Sequence, residues 1–262
     1  MASFDRRHER TVAAEFARQP LRPATLLTEA DLAPLPPPVA RYIRACGAVG
    51  RPIPQNVRVA FDALMHRKPG ASPMAATSVQ YSFFGDPARL FLMRARMFGL
   101  PVRALHLYHE AAATFQVRVA DLVNMVDQAG PEISRAETVT VLNDWCFMAP
   151  GALVHPQLTW SPVDDRSAVV TLANGRYTVR ATCVFNERDE LVDFWSDDRP
   201  DSSSGTFVPC RWRTPIGDYG DVGGLRLART GSAVWMRPEG EFTYGEFRLV
   251  SLRYDLRGPA AP

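Results

Sequence analysis

The chain has 262 residues, 46% of them hydrophobic and 22% charged, with a formal net charge of +2. These are the proportions of an ordinary globular chain. Acids and bases are interspersed, which excludes the clustered basic footprint of a nucleic-acid binder. No run of about 18 apolar residues occurs, so no membrane span is expected.

The opening stretch, MASFDRRHERTVAAEFARQP, lacks the apolar centre of a signal peptide. Four cysteines (Cys46, Cys146, Cys183 and Cys210) are scattered without a CxxC pair, so no zinc or thioredoxin-like motif is written here. They read as reduced thiols, and the expected location is the cytoplasm.

Residues 5–18 are expected to form a short charged helix anchored by Phe4, Val12 and Phe16. A proline-rich link follows, then VARYIRACG, where Val39, Tyr42, Ile43 and Cys46 make a helical stripe that Gly47 stops. From about residue 56 the period changes to two. In the segment 89–98, Phe91, Met93, Ala95 and Met97 face one way, and Leu90, Leu92, Arg94 and Arg96 the other. If the second set faces inward, its arginines need acids, and Glu132, Glu137 and Asp144 are the candidates. Residues 101–108, 113–119 and 121–127 read as further strands.

The segment 130–153, GPEISRAETVTVLNDWCFMAPGAL, breaks the strand series and reads as a helix. Val139, Leu142 and Cys146 share one side, and Val141, Trp145 and Met148 the opposite one. Only Glu137, Thr140 and Asp144 form a polar stripe. A helix apolar nearly all round is a buried helix. Ser134 and Glu137 have capping-box spacing, which predicts a start near Arg135, and Pro150 and Gly151 end it.

Strands then resume. Residues 168–172 and 176–185 flank Asn174-Gly175, the signature of a two-residue hairpin turn. The serine-rich run at 202–205 reads as a loop, and strands near 206–213, 224–236 and 241–254 complete the chain. Short connections favour antiparallel neighbours. The predicted fold is therefore α+β: a large twisted antiparallel sheet, a half-barrel, wrapped around one central helix. Residues 1–50 form a helical N-terminal arm, 51–256 a single sheet-and-helix domain, and 257–262 a disordered tail.

No nucleophile triad, phosphate loop or dinucleotide fingerprint is present. DYGDVGGLR, with Gly220, Gly223 and Gly224, reads as a tight turn. His106 and His109 form an HxxH, but on a strand they point to opposite faces and share no metal. No cofactor or metal site is assigned.

The candidate site is a pocket between the 135–148 helix and the concave sheet, taking a small apolar or amphipathic ligand. Asn143, Asp144 and Arg96 would orient the ligand's polar end, and Leu142, Cys146 and Phe147 would line the apolar part. Two alternatives stand beside this. One is an enzyme with Asp144 as general base. The other is a module with a filled core that forms a homodimer through an exposed sheet edge.

Four motifs carry a resemblance: LPPPVARYIRACGAVG at 35–50, GPEISRAETVTVLNDWCFMAP at 130–150, LVDFWSDDR at 191–199 and YGEFRLVSLRYDL at 244–256. Together they resemble an uncharacterised bacterial family, a domain of unknown function, over roughly residues 35–255 of this chain. The resemblance implies a fold similar to the periplasmic lipoprotein carriers, the LolA-like fold, in which a half-open sheet closes over helices and holds acyl chains. This chain departs from such carriers in lacking an export signal, and in placing Asn143 and Asp144 where a lipid groove would be wholly apolar.

Overall fold

Alternation of apolar and polar residues from position 56 onward produces strands, and in the computed structural model they join one sheet. The structure describes residues 3–203 and 205–259. Ser204 of the serine-rich loop and residues 260–262 of the expected tail lie outside the described residues.

Three helices come first: α1 (Ser3–Arg18), α2 (Glu29–Leu32) and α3 (Pro37–Ala45). Six strands follow: β1 (Asn56–Met65), β2 (Met74–Phe83), β3 (Ala88–Met97), β4 (Leu100–His109), β5 (Ala112–Val119) and β6 (Val123–Ala129). Helix α4 (Pro131–Met148) and a short 3₁₀ turn (Pro150–Val154) interrupt them. The rest is β7 (Leu158–Asp164), β8 (Ser167–Asn174), β9 (Tyr177–Phe185), β10 (Leu191–Ser196), β11 (Arg211–Arg213), β12 (Ile216–Val222), β13 (Leu225–Arg237) and β14 (Gly240–Tyr254).

The sheet runs β6-β5-β4-β3-β2-β1-β14-β13-β11-β10-β9-β8-β7, with β12 as an extra partner of β13. Neighbours along this path are antiparallel; β1, for example, pairs with β2 on one side and β14 on the other. The architecture is thus α+β, an open antiparallel sheet curved around α4. That helix touches strands from both halves of the sheet, including β5 and β9.

Fourteen of the eighteen α4 residues are buried, as its nearly all-round apolar composition requires. Its start differs from the expected one. Gly130, at φ 106°, turns the chain out of β6, and Pro131 occupies the first helical turn. Ser134 lies inside the helix rather than capping it; its hydroxyl donates to the Gly130 carbonyl and accepts the Ala113 N–H at 2.9 Å. Glu137 is therefore free of any capping role.

The β8–β9 hairpin also shifts by one residue from the expected turn. Asn174 pairs with Tyr177, so Gly175 and Arg176 form the turn, and only Gly175 takes a positive φ, 56°. The Asn174 amide instead donates to the Tyr108 hydroxyl at 2.8 Å, and that hydroxyl meets Thr138 of α4 at 2.9 Å. These bonds draw the β8–β9 tip towards β4 and tighten the wrap. The other glycine turn is as expected: Gly223 and Gly224, at φ 62° and 82°, connect β12 to β13.

Two layers cover the sheet. On the convex side, Phe4, Val12 and Phe16 of α1 pack on Tyr81, Phe83, Leu90 and Leu92. On the concave side, Val39, Tyr42 and Ile43 of α3 join Val139, Leu142, Trp145 and Cys146 of α4 in the main core. The Tyr42 hydroxyl donates to the Cys146 carbonyl at 2.9 Å, tying α3 to the central helix. Among the described residues, no helix is long and apolar enough to cross a membrane.

Candidate functional site

The core on the concave side is not filled. Between α4 and the upper walls formed by β1–β6, β13 and β14 lies a cavity of about 850 Å³. Strand alternation selects its wall: Phe61 and Met65 of β1, Phe91, Met93 and Met97 of β3, Ala104 of β4, and Phe115 and Val117 of β5 all project inward. Phe242 and Phe247 of β14 and the indoles of Trp212 and Trp235 complete the apolar lining. Methionine is frequent here, and its flexible thioether lets a wall adapt to shape.

Helix α4 supplies the floor. Ile133, Ala136, Glu137, Thr140, Asn143, Asp144 and Phe147 face the cavity, so the narrow polar stripe of the helix points into it. The opposite side of the helix, with Leu142 and Cys146, packs into the solid part of the core. Cys146 Sγ lies 3.8 Å from Cys183 Sγ on β9, and both thiols are free.

The stripe is held by charge pairing. Arg89 Nε donates to Asp144 Oδ2 at 2.7 Å, and Gln80 Nε2 donates to the same oxygen at 2.7 Å. Arg89 Nη1 also approaches Glu137 Oε2 at 3.7 Å. Arg199 donates to Glu137 Oε1 at 3.3 Å and to Thr140 Oγ1 at 3.0 Å. Its guanidinium lies 4.5 Å from the ring centre of Trp212 and 5.0 Å from that of Trp235. His106 Nδ1 stands 3.4 Å from Glu137 Oε2, and its ring packs 4.2 Å from Phe115. Asn143 Nδ2 donates to Thr214 Oγ1 at 2.5 Å.

Burial shapes the titration of this cluster. It pushes the His106 imidazole down to about 4, with Glu137 pulling upward and Arg89 and Arg199 adding to the fall. Burial also opposes ionisation of Glu137, but His106, Arg199 and Arg89 outweigh it and hold the carboxyl below its usual range. With His106 neutral, the two guanidiniums carry that stabilisation. For Asp144 burial dominates and raises the carboxyl despite Arg89 and Gln80. Two guanidiniums and two carboxyls face each other, so the knot is close to charge-balanced.

The structure brings Asn143, Asp144 and Phe147 to the cavity, and separates the other three expected residues from it. Leu142 and Cys146 lie on the far side of α4. Arg96 lies on the convex face of β3, exposed, donating to the Gly99 carbonyl at 3.2 Å and lining an open outer depression. Its neighbour Arg94 pairs with Asp5 of α1 at 2.5 Å, not with Glu132, Glu137 or Asp144. The arginine of this strand that meets Glu137 and Asp144 is Arg89, out of phase with Arg94 and in phase with Phe91 and Met93.

Asp144, which the enzyme reading needs as a general base, is held by Arg89 and Gln80 through one oxygen, Oδ2. Arg199, the last residue of the LVDFWSDDR motif, also lines the cavity, a place the sequence expectation does not give it. His106 and His109 do point to opposite sides of β4, and His106 is the one at the cavity. Among the described residues, no group of three or more His, Cys, Asp or Glu side chains is placed to hold a metal ion.

Comparison with known proteins gives a family. No curated protein matches. Among solved structures, a putative outer membrane lipoprotein-sorting protein domain from Vibrio parahaemolyticus is 9% identical, covers 76% of this chain and 85% of its own, and has a TM-score of 0.44. A DUF1329 family protein from Desulfovibrio piger is 11% identical over 88% of this chain and 95% of its own, at 0.44. A LolA superfamily protein from Nitrosomonas europaea is 9% identical over 94% of both chains, at 0.40. The family of unknown function DUF6544 matches residues 25–247, most of the sequence, including the α3, α4 and 191–199 motifs. The chain belongs to that family.

Proposed function

We propose that the protein binds one small apolar or amphipathic molecule in the cavity between α4 and the concave sheet. The observation that carries this is a void of about 850 Å³ with apolar walls and one compact polar knot on its floor. That volume and that division of lining are those of small-molecule sites. An ordinary core would close such a space, because interiors pack densely.

The apolar part of the ligand lies along Phe91, Met93, Phe115 and Phe247. Its polar end meets Asn143 and Asp144, with Arg89 and Arg199 beside them. Because the two acids already balance the two guanidiniums, a neutral hydrogen-bonding head fits with less desolvation cost than a bare carboxylate.

Titration with a fluorescent long-chain alcohol tests this reading. The wild-type protein should bind it at one site. Ala104→Trp, which places an indole into the void, should weaken binding at least tenfold without loss of the folded state. No binding by the wild type, or unaltered binding by Ala104→Trp, would overturn the reading.

A further inference from the structure

The strands that wall the cavity end together. The β1–β2 loop (66–73), the β3–β4 turn (98–99) and the β5–β6 turn (120–122) lie at the same end of the sheet, since alternate strands run in register. The Ala120 N–H donates to the Pro101 carbonyl at 2.7 Å, and Arg67 Nη1 reaches Met97 Sδ at 3.6 Å, so the three loops are neighbours. Met65, Arg67, Met97 and Met125 belong both to this rim and to the cavity wall. The rim is therefore the mouth.

Its surface is unlike the rest of the molecule. Phe98 is 88% exposed and Leu122 85% exposed, and Leu100 and Met125 are also exposed beside them. Isolated exposed apolar residues are normal, but large side chains grouped on adjacent turn tips are not. Arg67, Lys68 (the sole lysine of the chain) and Arg96 flank these tips, all exposed. None of the three has an acidic partner within ion-pair distance among the described residues, whereas Arg94 and Arg103 nearby are both paired. Of the acids at this end, Asp121 of the β5–β6 turn is paired with Arg103, and Glu239, Glu241 and Glu246 sit across the mouth on the β13–β14 hairpin, where Glu246 meets His66 and Glu241 meets Arg213.

We infer that this rim docks on an anionic lipid surface, with Phe98 and Leu122 entering the interfacial layer and Arg67, Lys68 and Arg96 meeting the headgroups. Apolar tips ringed by cations match the two components of interfacial binding, burial of hydrocarbon and attraction to acidic lipid. Narrow, projecting turns suit a penetrable layer better than a flat protein face, which would leave the cations between them unpaired. Docked in this way, the mouth opens onto the bilayer, and an amphipathic molecule could pass without crossing water. That last step rests on the cavity reading above; the docking itself does not.

Flotation of the full chain with vesicles separates the two. The protein should float with vesicles of three parts phosphatidylcholine to one part phosphatidylglycerol, and much less with phosphatidylcholine alone. Phe98→Asp with Leu122→Asp should abolish flotation. Replacing Arg67, Lys68 and Arg96 with Gln should remove most of the preference for acidic vesicles, roughly fivefold per charge.

An environment-sensitive dye on Leu122→Cys should brighten on acidic vesicles, and the same dye on Glu187→Cys, in the β9–β10 turn at the opposite end, should not. All these positions are exposed, so a retained thermal midpoint reports intact folding. Wild-type protein that stays with neither vesicle, or a Phe98→Asp/Leu122→Asp variant that floats as well as wild type, would overturn the inference, as would equal brightening of both dyes. If the rim variants instead lost only a protein partner while floating normally, the surface would be a protein interface and the inference would fall. Loss of alcohol binding in Ala104→Trp leaves the flotation results untouched, so failure of either idea is visible alone.

Discussion

Removing the Arg89 guanidinium would leave Asp144 with only Gln80 and Glu137 with only Arg199 as strong partners. A buried pair broken on one side leaves an uncompensated charge. Arg89→Ala should therefore cost about 3–5 kcal/mol in urea unfolding. Arg89→Lys should recover only part of this, since a point charge cannot reproduce the forked contact. A loss below about 1 kcal/mol for Arg89→Ala would show that the knot is not the electrostatic centre.

His106 predicts a pH response. Its folded value, about 4, lies below the ordinary imidazole range near 6.5. The unfolded chain thus takes up a proton that the folded chain refuses. Stability should be complete above pH 6.5, fall as the pH drops, and level off below about 4, with a total change of up to about 3 kcal/mol from this group. Glu137, held low, adds a further loss on the acid side. Urea midpoints at pH 7, 5.5 and 4.5 should decline for the wild type, and the decline should flatten in His106→Gln. A flat wild-type series would place a charged His106 in the fold.

At the scale of elements, α4 has two working sides, and substitutions should sort accordingly. Leu142→Ala, in the packed core, should cost about 2–5 kcal/mol and leave ligand affinity unchanged. Phe147→Ala should affect binding as well, because that ring faces the void. A binding defect in Leu142→Ala at full occupancy of the folded state would contradict this division. The hairpin β8–β9 makes a different demand. A Cβ on Gly175, at φ 56°, would stand 2.7 Å from the Ala111 Cβ on the β4–β5 turn. Gly175→Ala should destabilise the protein by about 1–3 kcal/mol, measured by thermal unfolding.

These elements also show what was legible in the sequence. The central helix was, because an apolar stretch on all sides of a 3.6-residue period has only one stable place, the interior. Strand parity was legible too: Phe91 and Met93 do share a face. Which face was inward was not legible for β3. Both sides of its first half are apolar, Phe91 and Met93 because they line the cavity, Leu90 and Leu92 because α1 covers the outside. Alternation therefore carries no sign, and it does not distinguish Arg96, which faces outward, from Arg89, which faces the cavity. The Ser134–Glu137 spacing misled for a similar reason. Both residues serve tertiary contacts, Ser134 to Ala113 and Glu137 to Arg199, that local pattern cannot reveal.

For the whole molecule, a sheet that curves around a helix without filling the space between them sets the physical account. Helix α1 covers the convex side, α3 packs against α4 in the core, the β8–β9 tip tightens the wrap, and the remaining void is lined by side chains whose inward parity the strands dictate. An occupied cavity should also stabilise the fold. Ligand at a hundred times its Kd adds about 2.7 kcal/mol, provided that only the folded state binds it.

Native mass spectrometry of the purified chain, after incubation with a mixed lipid extract and gel filtration, tests the central claim most directly. The account predicts a single adduct at one-to-one stoichiometry on the wild type, retained through the filtration, and none on Ala104→Trp. An unadorned wild-type mass under the same conditions, or equal adducts on both proteins, would contradict it.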